Sequence, residues 1–167
     1  MKKAMKIVLA VAMILSMGGI AAASDFNAQG SVVVPGIINM VTSGHWQSPY
    51  MVLSNITDKT ISCKVTAYDH DGNDVTNSYG EVITGGSGQP TVIAYGTGEF
   101  EIPAYSTRTF YLSHSGASRY IMGYAKIEWK STDTKLKYAL IGSMFRNRIY
   151  NGRVSEADVP INNGQPF

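Results

Sequence analysis

The chain has 167 residues, with 14 basic and 12 acidic side chains and a single cysteine. That length supports one domain burying about 70% of its unfolded surface, so a core can form without cross-links. One cysteine excludes an internal disulfide, and a nearly balanced charge gives no electrostatic footprint for nucleic acid or anionic lipid.

Residues 1–23 read as a secretory leader. Met1-Lys2-Lys3-Ala4-Met5-Lys6 is a basic start, and Ala21-Ala22-Ala23 supplies the small residues that a signal peptidase needs. The apolar stretch between them, Ile7 to Ile20, is short of the roughly 20 residues of a permanent span. The expected product is a single domain over 24–167, in the bacterial periplasm or outside the cell. Losing Lys2, Lys3 and Lys6 takes the formal charge from +2 to −1, so nucleic acid is not an expected partner. No later apolar run is long enough for a membrane span.

Strand-like alternation dominates the rest. Ser31 to Val34 reads as a first strand. Gly44-His45-Trp46-Gln47-Ser48-Pro49-Tyr50 reads as a loop holding a Trp, a His and a Tyr, and Tyr50 to Asn55 as the next strand. Asn55-Ile56-Thr57-Asp58-Lys59 is turn chemistry, because Asn and Asp side chains can close a turn on their own backbone. Ile61 to Tyr68 alternates cleanly, with Cys63 on the apolar face beside Ile61, Val65 and Ala67, where it acts as a small buried hydrophobe. Asp69-His70-Asp71-Gly72-Asn73-Asp74 follows. It lacks the glycine at six and glutamate at twelve of a helix-flanked calcium loop, and reads as a solvated hairpin end.

Gly85-Gly86-Ser87-Gly88 and Gly96-Thr97-Gly98 bracket a short run, Thr91 to Tyr95. Thr107 to Leu112 sets Arg108, Phe110 and Leu112 against Thr107, Thr109 and Tyr111. In Tyr120 to Lys130, Ile121, Gly123, Ala125, Ile127 and Trp129 face one way, while Tyr120, Met122 and Tyr124 face solvent or a partner. Leu136 to Phe145 reads as a further strand, and Asn151-Gly152 as a tight hairpin turn. Many short strands with such punctuation predict an all-β chain, a single antiparallel β-sandwich following the signal peptide.

Chemistry-bearing patterns are sparse. His45, His70 and His114 form no close pair, and no cysteine accompanies them, so no metal or other cofactor is expected. Gly85-Gly86-Ser87-Gly88-Gln89 lacks the last glycine of a nucleophile elbow, and Ser113 and His114 are neighbours that a strand would point to opposite faces. Ten Tyr, two Trp and five Phe, all beyond the leader, are the stronger signal, since half-exposed aromatics dominate contact surfaces. His45, Trp46 and Tyr50 are the candidate ligand-binding residues, although Trp46 can equally cover one end of the core. Tyr120, Met122 and Tyr124 are the candidate partner surface.

The order of Val33-Val34-Pro35-Gly36, Gly44-His45-Trp46-Gln47-Ser48, Ser54-Asn55-Ile56-Thr57-Asp58, Tyr68-Asp69-His70-Asp71-Gly72 and Ile102-Pro103-Ala104-Tyr105-Ser106-Thr107 resembles the sensory rhodopsin transducer family over about Val33 to Leu112. The resemblance implies a small β-sandwich that assembles as a homo-oligomer and binds a ligand without catalysing a reaction. The expected function is therefore an exported, non-catalytic binding or assembly module with a carbohydrate or protein partner. The alternative is an extracytoplasmic polysaccharide hydrolase using paired carboxylates, with Asp69, Asp71 or Glu128 as candidates. A terminal Phe167 also suits an outer-membrane barrel, but Pro160, Pro166 and the charged Lys126, Glu128 and Lys130 face argue against one.

Overall fold

The computed structural model describes residues 26–96 and 98–167; the expected leader, 1–23, lies outside the described residues. The described chain is all-β, built of β1 (Gly30–Thr42), β2 (His45–Asn55), β3 (Ile61–Tyr68), β4 (Gly80–Thr84), β5 (Thr91–Tyr95), β6 (Phe100–Ile102), β7 (Thr107–Leu112), β8 (Arg119–Lys130), β9 (Leu140–Tyr150) and β10 (Arg153–Pro160). One helical turn, α1 (Thr76–Tyr79), and a 3₁₀ turn (Ile161–Gly164) complete it. Among the described residues, no helix is long and apolar enough to cross a membrane.

Every strand pairing is antiparallel, and the sheet runs β5-β4-β7-β2-β1-β8-β3-β6, with β9 added to β2 and β10 to β9. β2 makes the corner. Its start, His45 to Gln47, pairs with the end of β1, and Tyr50 to Ser54 pair with β7, while β9 covers the other edge from His45 to Asn55. β1 therefore leaves β2 after a short hairpin, and the sheet curls back into a nearly closed, barrel-like layer. Asn39 and Ser48 hold the point of divergence: the Asn39 amide donates to the Leu112 carbonyl at 2.9 Å, and the Ser48 hydroxyl donates to the same oxygen.

Period-two alternation decides what the curl encloses. Met51, Leu53, Ile61, Cys63, Val65, Phe110, Leu112, Ile127, Trp129, Leu140 and Met144 are all buried in one core. Burying a Leu, Ile or Phe side chain stabilises the fold by roughly 1.5–3 kcal/mol, so this layer outweighs any surface pairing. Cys63 is fully buried, and burial pushes its thiol well above the ordinary range, which leaves it inert. The tail returns to this core: Phe167 is buried, its N–H donates to the Leu140 carbonyl at 2.9 Å, and its own carbonyl accepts from Ala139 and Leu140.

Several expected boundaries shift. Ile61–Tyr68, Thr91–Tyr95 and Thr107–Leu112 form strands at the expected residues, and β8 gains only Arg119. β1 continues to Thr42 because Gly36, at φ 70°, absorbs an extra residue as a bulge and re-aims Ile37 into the core. The stretch read as a loop, Gly44 to Tyr50, is a turn at Gly44 followed by strand from His45 onward. The strand expected over Leu136 to Phe145 begins only at Leu140 and runs on to Tyr150. β4, β6 and β10 were not anticipated; they are short or fully exposed, so their burial pattern is weak. Asn151 and Gly152, both at positive φ, turn β9 into β10 as the dipeptide requires.

Candidate functional site

The strand at His45–Tyr50 changes the geometry of the expected ligand-binding trio. Successive residues alternate between faces, so Trp46 and Tyr50 share the outer face while His45 points the other way. His45 Nε2 lies 2.8 Å from the Asn151 Oδ1, and its ring sits 4.3 Å from Tyr150. Trp46 is half-buried outside the core and stacks on His114 at 4.5 Å and 12°. The reading in which Trp46 caps the core does not describe this packing. His70 stands apart, 3.5 Å from Asp71, so the three histidines do not converge.

Tyr50 is different, because the register sets it in a row of side chains crossing the outer face. Successive cross-strand partners run Tyr95, Glu81, Tyr111, Tyr50, Phe145, Asp158, from β5 to β10. Tyr50 and Tyr111 stack at 5.3 Å and 13°. The Tyr111 hydroxyl donates to the Glu81 carboxylate. Burial, then that hydrogen bond and the negative charge of Glu81, hold the Tyr111 hydroxyl far above its usual titration range. Burial also raises Tyr50, with Glu156 and Glu81 adding to the effect.

Beside this row lies an open depression of about 390 Å³, lined by Tyr50, Ile83, Thr109, Phe145, Asn147 and Glu156 among others. Its polar groups are the Tyr50 and Thr109 hydroxyls, the Asn147 amide and the Glu156 carboxylate. The Asn147 Oδ1 is buried and has no hydrogen-bond partner among the described residues. Glu156 and the nearby Glu81 border the aromatic carbon of the depression with carboxylate oxygens. A surface of this kind repels anions and accepts hydrogen bonds from hydroxyl or amide donors. The sequence reading missed Glu81, Phe145, Asn147 and Glu156. They lie far apart along the chain, and only cross-strand register brings them together.

The expected partner surface occupies the outside of the other half of the sheet. Tyr120, Met122 and Tyr124 are 54%, 46% and 40% exposed on one face of β8. Tyr124 stacks on Tyr68 of β3 at 5.0 Å and 25°. Farther along the same face the surface becomes charged: Lys126 pairs with Glu128 at 2.7 Å, and Lys130 with Glu99 at 2.9 Å.

The remaining candidates resolve into local structure. The Asp69 carboxylate accepts from the Asp71 and Asn73 N–H groups at 2.9 and 2.8 Å, closing its own turn. The hydrogen bonds from Asn73 hold its pKa below the ordinary value. Among the described residues no three His, Cys, Asp or Glu side chains gather as a metal site. Asp69 and Asp71 share that exposed turn, whereas Glu128 lies on β8, engaged by Lys126.

No family model matches the chain, and no curated protein matches it. Among solved structures, that of Thermotoga maritima 1070 is similar, with a TM-score of 0.48 and 12% identity over 83% of this chain and 99% of that one.

Proposed function

We propose that this protein is an exported, non-catalytic binding module whose ligand is a neutral carbohydrate, held on the outer face around Tyr50. The open depression beside the stacked Tyr50 and Tyr111 rings carries the reading, because it sets half-exposed ring surface next to hydrogen-bonding side chains on one outer face. Tyr50 and Phe145 supply ring surface for the apolar side of a sugar, and Glu156 supplies a further acceptor. The basic, apolar and small-residue succession at 1–23 supports export. The two stretches of sheet that face each other across the core support a sandwich description, and the motif order from Val33 to Leu112 supports kinship with the sensory rhodopsin transducer family. On this reading the Tyr120, Met122 and Tyr124 stripe serves assembly into a homo-oligomer, which light scattering tests directly.

The test is calorimetric titration with a panel of neutral and acidic oligosaccharides. Neutral glycans bind, acidic ones do not, and Tyr50→Ala and Asn147→Ala each weaken binding about ten-fold, equivalent to about 1.4 kcal/mol. Trp46→Ala, on the same outer face, produces a smaller loss, and Tyr124→Ala leaves affinity unchanged. Affinity that survives Tyr50→Ala and Asn147→Ala overturns the site. Release of new reducing ends during the titration overturns the non-catalytic reading in favour of a hydrolase.

A further inference from the structure

The curl of the sheet stops short of closure, leaving a seam with unusual chemistry. From Gly30 to Asn39, β1 pairs with β8 along one edge only, and β10 pairs with β9 alone. These two edges look at each other across a groove of about 360 Å³, lined by Val32, Val34, Pro35, Met144, Arg146 and Val159 among others. The 3₁₀ turn at Ile161 and Asn162 plugs one end of the groove. Long unpaired strand edges offer a row of backbone donors and acceptors, and proteins ordinarily cover or charge them.

The charge here has one sign. By strand register, Arg146, Arg148 and Arg153 all sit on the inward side of the β9–β10 hairpin, whereas its acids, Glu156 and Asp158, sit on the outward side. None of the three arginines forms an ion pair among the described residues. Arg146 Nε is buried and has no hydrogen-bond partner among them, and Arg148 only lies over the Tyr150 ring, at 5.1 Å. Gly36 is fitted to this arrangement. A Cβ there would approach an Arg146 terminal nitrogen to 3.1 Å, so the bulge leaves room for the guanidinium in the groove.

We infer that the seam receives an extended acidic segment of a partner protein, added as a strand against the free edge of β1. Its carboxylates, at alternate positions, lie over Arg146 and Arg148. The spacing matches: Arg146 and Arg148 are two residues apart on a strand, and an added strand presents every second side chain to the same face. Main-chain hydrogen bonds provide the affinity, and the paired carboxylates select the partner and its register. This site is separate from the carbohydrate surface, which lies on the opposite side of β9.

The experiment uses a blocked peptide of about eight residues, a usual strand length, with glutamate and valine alternating. One control peptide has the same composition with its glutamates contiguous, and a second has a central proline replacing a valine. The alternating peptide binds and slows hydrogen exchange at the β1 amides between Ser31 and Val34 that point away from β8, ahead of Pro35, which has none, and both controls bind at least ten-fold more weakly, by the loss of register or of a ladder bond. Arg148→Gln, an exposed change that leaves the core untouched, weakens the alternating peptide about ten-fold. Arg148→Glu restores binding to a peptide with lysine in place of only the glutamate that lies over residue 148. Equal binding of all three acidic peptides, or equal competition by a short single-stranded DNA, reduces the groove to a general anion site and overturns the proposal. Concentration-dependent protection of the same β1 amides without peptide assigns the edge to a second copy of the chain and overturns it as well.

Discussion

Two stacked tyrosine pairs stand on the outside of this molecule, one on each half of the sheet. Tyr50 and Tyr111 join β2 to β7, and Tyr68 and Tyr124 join β3 to β8, with ring separations of 5.3 and 5.0 Å. Both pairs obey the same rule, in which directly opposed residues of antiparallel strands bring their rings together. What surrounds them differs. The first pair is bordered by acids, with Glu81 accepting the Tyr111 hydroxyl, and by the unsatisfied Asn147 acceptor. The second adjoins exposed Tyr120 and Met122, and then Lys126, whose charge opposes the upward shift that burial and Asp74 impose on Tyr68. One motif of packing thus serves two chemistries, and its neighbours determine which.

The sharpest way to break this comparison is to show that the pairs, rather than the layer beneath them, hold the fold. Phe110→Ala, in the core under the first pair, is expected to cost about 3–5 kcal/mol in urea unfolding, more than any outer-face tyrosine change. A larger loss from Tyr111→Phe would reverse the ranking of core over face.

Next in size is the coupling within each pair, measured by double-mutant cycles. Tyr68 with Tyr124 should couple by about 0.5–1.5 kcal/mol, the usual worth of an aromatic pair. Removing Tyr111 also strips Glu81 of its donor, and hydrogen bonds to charged groups are worth about 1.5–3 kcal/mol. Tyr111→Phe therefore destabilises the protein more than Tyr124→Phe does, and equal effects would dissolve the distinction.

Alkaline pH gives a smaller contrast with a fixed sign. Tyr50 and Tyr111 titrate higher in the folded chain than their ordinary value of 10.0, so the native state holds their protons more tightly than the unfolded one. Their contribution is fully present below about pH 10 and declines as pH rises beyond it. Glu81→Gln should lower the Tyr111 titration and move that decline toward lower pH, as read by ultraviolet difference absorbance. An unchanged curve would mean that burial alone governs Tyr111.

The smallest effect belongs to the Asp69 turn. Its carboxylate titrates below the ordinary value because Asn73 and the turn amides donate to it, so the benefit is present near neutrality and is lost as pH falls through the folded value. Asp69→Ala should speed hydrogen exchange at the Asp71 and Asn73 amides with little change in the unfolding midpoint.

Alternation alone located most of what lies in the core. Ile61 to Tyr68, Thr107 to Leu112 and the Ile121-to-Trp129 face of β8 were legible because each strand buries one face and wets the other, which prints period two directly into the residues. The same logic exposed Tyr120, Met122 and Tyr124. It failed at β10, where every residue is exposed, and at His45–Tyr50, where a tryptophan, a histidine and a proline disguise a strand with sheet on both edges. Trp46 and Tyr50 were noticed for their chemistry, but His45 was grouped with them only by proximity along the chain, and the strand turns it to the other face.

By itself, the sequence determined the all-β class, the turn positions at Asn55, Gly72 and Asn151-Gly152, and the residues that must avoid water. Those properties are local, since they depend on side-chain period and on backbone freedom within a few residues. Tertiary structure decided which strand lies beside which. That pairing set Glu81 against Tyr111, brought Asn147 and Glu156 beside Tyr50, and left the edge of β1 open beside Arg146. Register is a long-range property, selected by the closure of a whole sheet around its core, and no window of a few residues contains it.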